Sequence, residues 1–342
     1  MRAVVYDAPR SFAVTEIPDP VAGPGQVRVR VIQTGVCGTD LHLHEGQFMA
    51  AYPLIPGHET VGLVDQLGEG VESVALGEQV TINPNASCGV CDYCRSGRPI
   101  LCDALTGMGS NRPGAFAEYV VAPASQVFSV EGLPVDTAVF VEPTSCVAHG
   151  MDVIRPQHGS NALVLGAGPT GLLLAQLLKH GGAARVTVAG STAFKLDTAR
   201  SLGADDTFAM DRGDLPGDVQ RLRELSGGQG FDLVVDATGN RDVIEQCVPL
   251  TRNGGTVAFY GVSDEQDRVQ VSPYEIFRRE ITIKGSFAEV SSFPSAIAAL
   301  RNGRARTDNL ITHRFPLEEY GDALEAVRSD KSAHKVVVVL HP

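Results

Sequence analysis

The chain has 342 residues, of which 43% are hydrophobic and 20% charged, and its formal net charge is −12. This length favours two domains, and the diffuse acidic charge argues against nucleic acid and anionic membranes as partners. No apolar run is long enough for a transmembrane helix, and the N-terminal segment lacks the hydrophobic centre of a secretion signal, so we expect a cytoplasmic protein.

The first part of the chain contains short β segments separated by proline and glycine, without strand–helix alternation before residue 150. It is therefore predicted to be mainly antiparallel β and barrel-like. A helix is predicted over Asp136–Ile154. The predicted strands are Ala3–Tyr6, Val14–Ile17, Gln26–Ile32, Thr60–Asp65, Gly77–Ile82 and Phe116–Val121.

Four residues of metal-ligating types stand at three separate places in this part of the chain: Cys37, the adjacent pair His58 and Glu59, and Glu142. A thiolate, an imidazole and a carboxylate suit a catalytic zinc that keeps one coordination position open. Each residue also has a plainer interpretation from the pattern alone. The cysteine is then a core residue, the His-Glu pair lies on the surface, and Glu142 caps a turn.

Four cysteines cluster within fifteen residues, spaced Cys-x2-Cys-x2-Cys-x7-Cys: Cys88, Cys91, Cys94 and Cys102. Four thiolates fit a closed tetrahedral zinc site, which leaves no position for a substrate and is structural. An iron–sulfur cluster or a set of reduced surface thiols are the alternatives for this spacing.

Strand–helix alternation begins at residue 161, where a strand, a glycine motif, a helix and a second strand follow one another up to residue 192. The motif reads G-x-G-x-x-G and comprises Gly166, Ala167, Gly168, Pro169, Thr170 and Gly171. Its glycines allow a tight turn and a close approach to a pyrophosphate, which the helix N-terminus attracts. The alternative is a glycine-rich turn in an ordinary α/β protein.

Six strands are predicted from residue 161 onwards, as a dinucleotide-binding sheet requires. They are Ala162–Gly166, Val186–Ala189, Asp206–Ala209, Asp232–Ala237, Gly255–Tyr260 and Ile281–Lys284. After Phe287 the chain is predicted to form helices over Phe293–Arg301 and Leu317–Arg328 and a strand over Val336–Leu340. This tail is too short for a domain of its own, so we expect it to complete the first one.

Taken together, these motifs resemble the zinc-dependent medium-chain dehydrogenase/reductases of the alcohol dehydrogenase superfamily, and within it the polyol and sorbitol dehydrogenase branch. The matching segments occur in the family's order along essentially the whole chain. They are Cys37–His42, Gly57–Glu59, the four cysteines, Glu142-Pro143, Gly166–Gly171, Asp236–Gly239 and Lys284–Ser286.

The resemblance implies an α/β protein with a GroES-like β-barrel catalytic domain and a six-stranded parallel Rossmann domain. The catalytic domain is expected over 1–152 and 288–342, with a structural zinc lobe at about 85–105, and the Rossmann domain over 153–287. Two zinc ions per chain are implied, the catalytic one held by Cys37, His58 and Glu59, with Glu142 beside it or ligating it. A homodimer or homotetramer is also implied.

The implied activity is hydride transfer between a secondary alcohol, such as a polyol, sugar alcohol or diol, and a nicotinamide cofactor. Thr39 is implied to begin a proton relay that His42 continues, with Glu59 at the metal, and Asp40 is expected to be structural. Leu43 and Ala288 stand where sorbitol dehydrogenases carry a substrate-binding tyrosine and arginine. An L-threonine-type or a simple secondary alcohol dehydrogenase therefore remains an alternative.

Two further classes of protein are weighed against a zinc dehydrogenase. A zinc-independent reductase of the same superfamily would lack Cys37, His58 and Glu59, which are present. A non-catalytic dinucleotide-binding protein on the same scaffold stays open, because a fold alone does not establish activity.

The end of the second Rossmann strand bears on the choice of cofactor. NAD-specific members carry an acidic residue there, which binds the ribose hydroxyls. This chain has Gly190 followed by Ser191 and Thr192, with Lys195 close by, so NADP is predicted and NAD remains open. The resemblance adds three cofactor contacts further along the chain: Thr238, Gly261 and Ser286.

Overall fold

The computed structural model describes residues 1–341 and divides the chain into two compact units. The first contains Met1–Ser145, Ala288–Arg301 and the residues from Thr307 onwards, and the second contains Cys146–Phe287 and Asn302–Arg306. The first unit is therefore built from chain segments that precede and follow the second. Within residues 1–341, none of the helices has the length and apolarity needed to cross a membrane.

In chain order, the strands found in residues 1–341 are β1 (Arg2–Ala8), β2 (Ser11–Glu16), β3 (Gln26–Val36), β4 (Glu59–Leu67), β5 (Gln79–Ile82), β6 (Asn85–Ala86), β7 (Thr106–Gly107), β8 (Tyr119–Pro123), β9 (Val127–Ser129), β10 (Asn161–Leu165), β11 (Arg185–Gly190), β12 (Asp206–Ala209), β13 (Phe231–Asp236), β14 (Thr251–Phe259), β15 (Thr282–Gly285), β16 (Ile311–Pro316) and β17 (Lys335–Val339).

The α-helices of the same residues are α1 (Gly38–His44), α2 (Asp92–Arg95), α3 (Val135–Ala138), α4 (Val141–Ile154), α5 (Pro169–His180), α6 (Ala193–Ser201), α7 (Leu215–Leu225), α8 (Arg241–Ile244), α9 (Cys247–Leu250), α10 (Pro273–Arg279), α11 (Phe293–Arg301) and α12 (Tyr320–Ser329).

A seven-stranded sheet organises the first unit. Its order is β16-β17-β3-β4-β5-β9, and β8 also pairs with β3. Every pair is antiparallel except β16 with β17, which confirms the prediction of a mainly antiparallel domain. The long strand β3 lies at the centre of this sheet, between β17 and β4. Val27, Val29 and Val31 lie on one of its faces and are fully buried in the core.

Six parallel strands form the second unit in the order β12-β11-β10-β13-β14-β15. This confirms the predicted six-stranded parallel sheet. The strand order reverses between β10 and β13, and such a reversal opens a crevice at the carboxyl ends of the strands. The loops after β10, β13 and β14 meet at this edge and carry the glycine-rich and Asp-Ala-Thr-Gly motifs.

Three secondary-structure predictions need correction. The helix predicted over Asp136–Ile154 is two helices, α3 and α4, because the ring of Pro143 excludes a helical carbonyl four residues earlier and fits only in a first turn. The helix predicted over Leu317–Arg328 begins as a short 3-10 turn and becomes α-helical only at Tyr320. The sequence analysis missed β16, an edge strand whose residues do not alternate clearly between buried and exposed.

Candidate functional site

Three of the predicted metal ligands lie together in the first unit. Cys37 follows β3 directly, while His58 precedes β4 and Glu59 is the first residue of that strand. The antiparallel register pairs Gly35 with Glu59, and the ligand atoms of the three side chains all lie within 4.8 Å of one another. Gly35 is required here, because a Cβ at this position would lie 1.9 Å from Oε2 of Glu59.

Asp40 orients this group from helix α1. One of its carboxylate oxygens accepts a hydrogen bond from the backbone N–H of Cys37 at 2.8 Å, and the other lies 3.7 Å from Nδ1 of His58. At 3.7 Å this is a charge contact and not a hydrogen bond, and Nδ1 of His58 has no hydrogen-bond partner in residues 1–341. Burial lowers the pKa of His58, but Asp40, Cys37 and Glu142 outweigh that effect and hold the pKa well above its usual value.

A buried lysine contacts the same group and was missed by the sequence analysis. Nζ of Lys335 lies 2.7 and 2.6 Å from the two carboxylate oxygens of Glu59, and only 4% of Lys335 is exposed. Burial lowers its pKa, but Glu59 and Cys37 raise it more, so the pKa lies above the usual value of lysine. The signal in the sequence was a lysine at the start of the fully apolar run that forms β17.

Glu142 lies in the first turn of α4 and is buried. It falls outside the group of three side chains whose ligand atoms lie within 4.8 Å. Its charge nevertheless raises the pKa values of His58, Lys335 and Glu289, so the carboxylate lies within electrostatic range of the group.

The two predicted relay residues have different neighbours. Oγ1 of Thr39 lies 3.7 Å from Sγ of Cys37, which places this hydroxyl beside the candidate metal site. His42 stands one turn further along α1, where its Nδ1 lies 2.9 Å from Oε1 of Gln47.

The four clustered cysteines form a second candidate metal site in the first unit. One sulfur atom from each of Cys88, Cys91, Cys94 and Cys102 lies within 4.8 Å of the others. Backbone N–H groups point at the sulfurs, as when Cys91 N donates to Sγ of Cys88 at 3.3 Å. The backbone N–H groups of Cys94 and Asp103 lower the pKa of Cys91 to about 6, which favours the thiolate that binds metal.

The residues of both groups fit zinc. The first group offers one thiolate, one imidazole and one carboxylate, which is a donor set of catalytic zinc sites that leaves a position open. The second offers four thiolates, as closed structural sites do. His58 and Glu59 are buried, and Lys335 already offsets the charge of Glu59. A divalent cation would compensate the remaining negative charge of a Cys37 thiolate and of Glu142, which act on the same group.

The glycine motif of the second unit has the shape of a dinucleotide-binding turn. Gly166 has a φ of +118°, and a Cβ on Gly171 would lie 2.0 Å from the carbonyl oxygen of Gly166. Gly168 is the N-cap of α5, and Pro169 and Thr170 form its first turn, so free N–H groups face the end of β10.

The loops after β13, β14 and β15 hold the other predicted cofactor contacts. Asp236 accepts hydrogen bonds from the hydroxyl of Thr238 at 2.6 Å and from Gly239 N at 3.0 Å, which fixes the turn after β13. Gly261 abuts this turn, because a Cβ there would lie 2.2 Å from Gly239 N. Ser286 follows β15, and its buried hydroxyl has no hydrogen-bond partner in residues 1–341.

At the end of β11, the structure gives Gly190 a packing role. A Cβ on Gly190 would lie 2.9 Å from the Cβ of Ala167, so the glycine-rich turn packs directly against it. Ser191 is exposed, Thr192 is the N-cap of α6, and Lys195 lies in the first turns of that helix. The absence of an acidic side chain at this place therefore has a steric reason besides the choice of cofactor.

Fold and site together define a metal-dependent dinucleotide enzyme, and two family models match the chain. Residues 23–134 match the alcohol dehydrogenase GroES-like domain, and residues 169–302 match the zinc-binding dehydrogenase domain. The chain belongs to the zinc-binding alcohol dehydrogenase family, which confirms the predicted resemblance and the GroES-like and Rossmann fold class.

Among its relatives, D-arabinitol dehydrogenase 1 of Uromyces fabae is 43% identical over 96% of this chain and 94% of its own length. D-altritol 5-dehydrogenase of Agrobacterium fabrum is 35% identical over 98% of both chains. The crystal structure of a zinc-binding dehydrogenase from Sinorhizobium meliloti 1021 bound to NADP has a TM-score of 0.91 and 32% identity, and the match covers 99% of this chain and 98% of that one.

Proposed function

We propose that this chain is a zinc- and NAD(P)-dependent polyol dehydrogenase, which oxidises a secondary hydroxyl of a sugar alcohol to a ketone while NAD(P)⁺ is reduced. The observation that carries the proposal is the buried group of Cys37, His58 and Glu59, whose donor set leaves a coordination position open. The arabinitol and altritol dehydrogenases among its relatives support a polyol as the substrate class.

The groups that bind to the chain supply the reactive chemistry: zinc is a Lewis acid for the alcohol oxygen, and the nicotinamide accepts the hydride. The chain supplies orientation and proton transfer. Asp40 holds the ring of His58, and Lys335 offsets the negative charge of Glu59. We propose that the hydroxyl of Thr39, which lies 3.7 Å from Sγ of Cys37, takes the proton of the substrate and gives its own proton to His42, and that Glu142 completes the ligand set when required.

The four cysteines Cys88, Cys91, Cys94 and Cys102 are proposed to hold a second, structural zinc within the lobe at about 85–105. We assign the catalytic domain to residues 1–152 and 288–342 and the dinucleotide-binding domain to residues 153–287. The pyrophosphate is proposed to bind at Gly166, Gly168, Pro169, Thr170 and Gly171, and the rest of the cofactor at Thr238, Gly261 and Ser286.

NADP is the proposed cofactor, with Ser191, Thr192 and Lys195 as contacts of the 2′-phosphate. The absence of an acidic residue after β11 and the NADP-bound relative support this choice. Comparison of kcat/KM for NADP⁺ and NAD⁺ in the wild type and in Lys195→Ala tests it. We expect NADP⁺ to be preferred and the preference to shrink in the variant. A wild type that favours NAD⁺ by about tenfold would contradict it.

A homo-oligomer is proposed as the assembled form. In the second unit, the edge strand β15 adjoins α10, on which 80% of Phe277 and 66% of Tyr274 are exposed. Exposed apolar patches of this kind mark contact surfaces. Sedimentation analysis of Phe277→Glu is expected to show smaller particles than the wild type, whereas Leu225→Glu, on an exposed site of α7, leaves the mass unchanged.

The proposed activity is tested with metal analysis and a substrate screen. We expect two zinc ions per chain, and oxidation of polyols with zinc-loaded protein. Cys37→Ala is expected to retain the structural zinc and a folded chain but to lose activity by more than the 10–100-fold that supporting residues of metal sites cost. Activity on L-threonine or on monohydric secondary alcohols but not on polyols would favour the alternative substrates. No turnover of any alcohol would favour a non-catalytic dinucleotide-binding protein.

A further inference from the structure

Glu289 is a buried carboxyl group in the first unit to which the proposed reaction assigns no part. Its side chain is fully buried, and Oε2 accepts a hydrogen bond from Ser292 N at 3.0 Å. Oε1 is also buried but has no hydrogen-bond partner in residues 1–341. Because a buried acceptor without a donor costs free energy, this oxygen is suited to a donor that arrives with a ligand.

The backbone on both sides of Glu289 is held in place. Nδ2 of Asn85 donates to the carbonyl oxygen of Glu289 at 2.9 Å, and Nδ2 of Asn83 donates to that of Val290 at 2.8 Å. Ala288 has a φ of +41°, a left-handed conformation that non-glycine residues rarely adopt and that clusters at functional sites. These contacts fix the backbone of the loop and so restrict where the carboxyl group of Glu289 can lie.

Glu289 lies within electrostatic range of the candidate catalytic ligands. Burial raises the pKa of its carboxyl group to about 7 and the charge of Glu142 adds to the rise, while the N–H of Ser292 and the side-chain amides of Asn85 and Asn83 act to lower it. The structure pairs Lys335, the buried ammonium near these ligands, with Glu59, and Glu289 has no salt bridge in residues 1–341. A ligand that binds here meets a carboxyl group without a counterion.

A hydroxyl group suits this acceptor best. It can donate to Oε1 of the carboxylate, and it can both donate to and accept from the neutral acid, whereas an ammonium group can only donate and cannot accept the O–H of the acid. A polyol has hydroxyls besides the one that is oxidised, and a monohydric alcohol does not.

We propose that Glu289 is a specificity-determining residue of the substrate site, where Oε1 accepts a hydrogen bond from a hydroxyl group of the polyol other than the reacting one. This inference rests on the proposed polyol oxidation. It predicts that the chain selects polyols over simple secondary alcohols.

The test compares two substrates in the zinc-loaded protein. One is the best polyol among D-arabinitol, D-sorbitol and galactitol, and the other is 2-butanol. Glu289→Leu removes the acceptor, and Glu289→Gln keeps an oxygen for Ser292 N and so protects the loop if the leucine variant misfolds. Glu78→Gln is the matched control, because Oε2 of Glu78 also accepts a backbone N–H three residues away, from Ala75 at 2.8 Å, but the residue is only half-buried.

We expect the ratio of kcat/KM for the polyol to that for 2-butanol to fall about tenfold or more in Glu289→Leu, mainly through KM, and by less in Glu289→Gln. The control should leave the ratio unchanged. A second measurement needs no turnover: the polyol should raise the melting temperature of the wild type, and this rise should be lost in Glu289→Leu.

Three outcomes would overturn the inference. Equal losses for both substrates would mean that Glu289 only supports the loop, and an unchanged ratio with an unchanged melting response would mean that no substrate hydroxyl reaches it. A wild type that is active on 2-butanol but on no polyol would overturn the proposed function as well, which separates that failure from a failure of Glu289 alone.

Discussion

A buried ammonium group faces the candidate catalytic ligands, because Nζ of Lys335 contacts both carboxylate oxygens of Glu59. Removal of one partner of a buried ion pair leaves an uncompensated charge and costs about 3–5 kcal/mol. The two ends of this pair are 276 residues apart in the sequence, so no local pattern connects them. Glu59 could be predicted from its His-Glu motif, whereas its pairing with Lys335 could not be predicted.

Lys335→Met should lower the free energy of unfolding by about 3–5 kcal/mol in metal-free protein and by less in zinc-loaded protein, where the cation supplies the missing positive charge. Denaturant titrations with and without chelator measure both values. Lys331→Met, in the exposed turn before β17, serves as the control and should have little effect in either state. Equal losses with and without zinc would show that Glu59 does not face the metal.

The raised pKa of the Glu289 carboxyl group predicts that the free energy of unfolding depends on pH. Burial raises the pKa of its carboxyl group in the folded state to about 7, while a glutamate in the unfolded chain titrates at about 4.3. Between these values the folded state binds more protons, so the free energy of unfolding falls as pH rises through this window. We expect the wild type to lose about 3 kcal/mol between pH 4.5 and 7.5 relative to Glu289→Gln. Parallel stability profiles of the two proteins would contradict this.

Strands and helices that carry a clear apolar pattern or a glycine motif could be predicted from the sequence. The strands of the parallel sheet and helix α11 came out within a few residues of their observed bounds, because buried apolar runs and glycine motifs mark them locally. The break between α3 and α4 depends on the ring of Pro143, and β16 is recognisable only beside its partner β17. Pairing across the sheet is a long-range property that periodicity does not encode.

The cysteine lobe contains elements without a core of their own. Helix α2 and the 3-10 turn Pro99–Leu101 have no buried residues, and Cys102 is the buried member of the four cysteines. Such a segment cannot offset its conformational entropy by apolar burial, so we propose that a bound metal holds it together.

Cys91→Ser or Cys94→Ser should therefore release the lobe while the rest of the chain stays folded. We expect rapid proteolytic cleavage between residues 85 and 105, faster amide hydrogen exchange there, and a loss of one zinc ion per chain. Cys247→Ser, in the core of the second unit, is the comparison and should leave zinc content and cleavage within the lobe unchanged. Unaltered protection of the lobe in the lobe variants would show that metal does not hold it.

The last part of the chain contributes strand β17 to the interior of the seven-stranded sheet of the first unit. It lies between β16 and β3, and Val336 and Val338 belong to the same buried core as the valines of β3. The second unit has a separate core, formed by residues such as Leu163, Phe231 and Val257. The two units should therefore differ in their response to loss of the C-terminal segment.

Truncation after Asp330 removes β17 and Lys335 together. We expect hydrogen exchange to show an unfolded first unit and a second unit that keeps its protected core. Retention of protected amides in β3 and β4 in the shorter chain would show that β17 is dispensable for the sheet.

Strand β17 lies inside the sheet but comes after the other strands of the first unit in the sequence. The order of synthesis therefore determines when this sheet can close. Lys335 is made 276 residues after Glu59, which at roughly 5–20 residues per second is a delay of roughly 14–55 s. Throughout that interval β3 exposes an unpaired edge, the kind of surface that chaperones shield and that neighbouring nascent chains can join. The second unit can complete its sheet before the first one closes. The buried counterion reaches Glu59 only after β3, β4 and the whole second unit have been made, so zinc that arrives earlier meets an incomplete site.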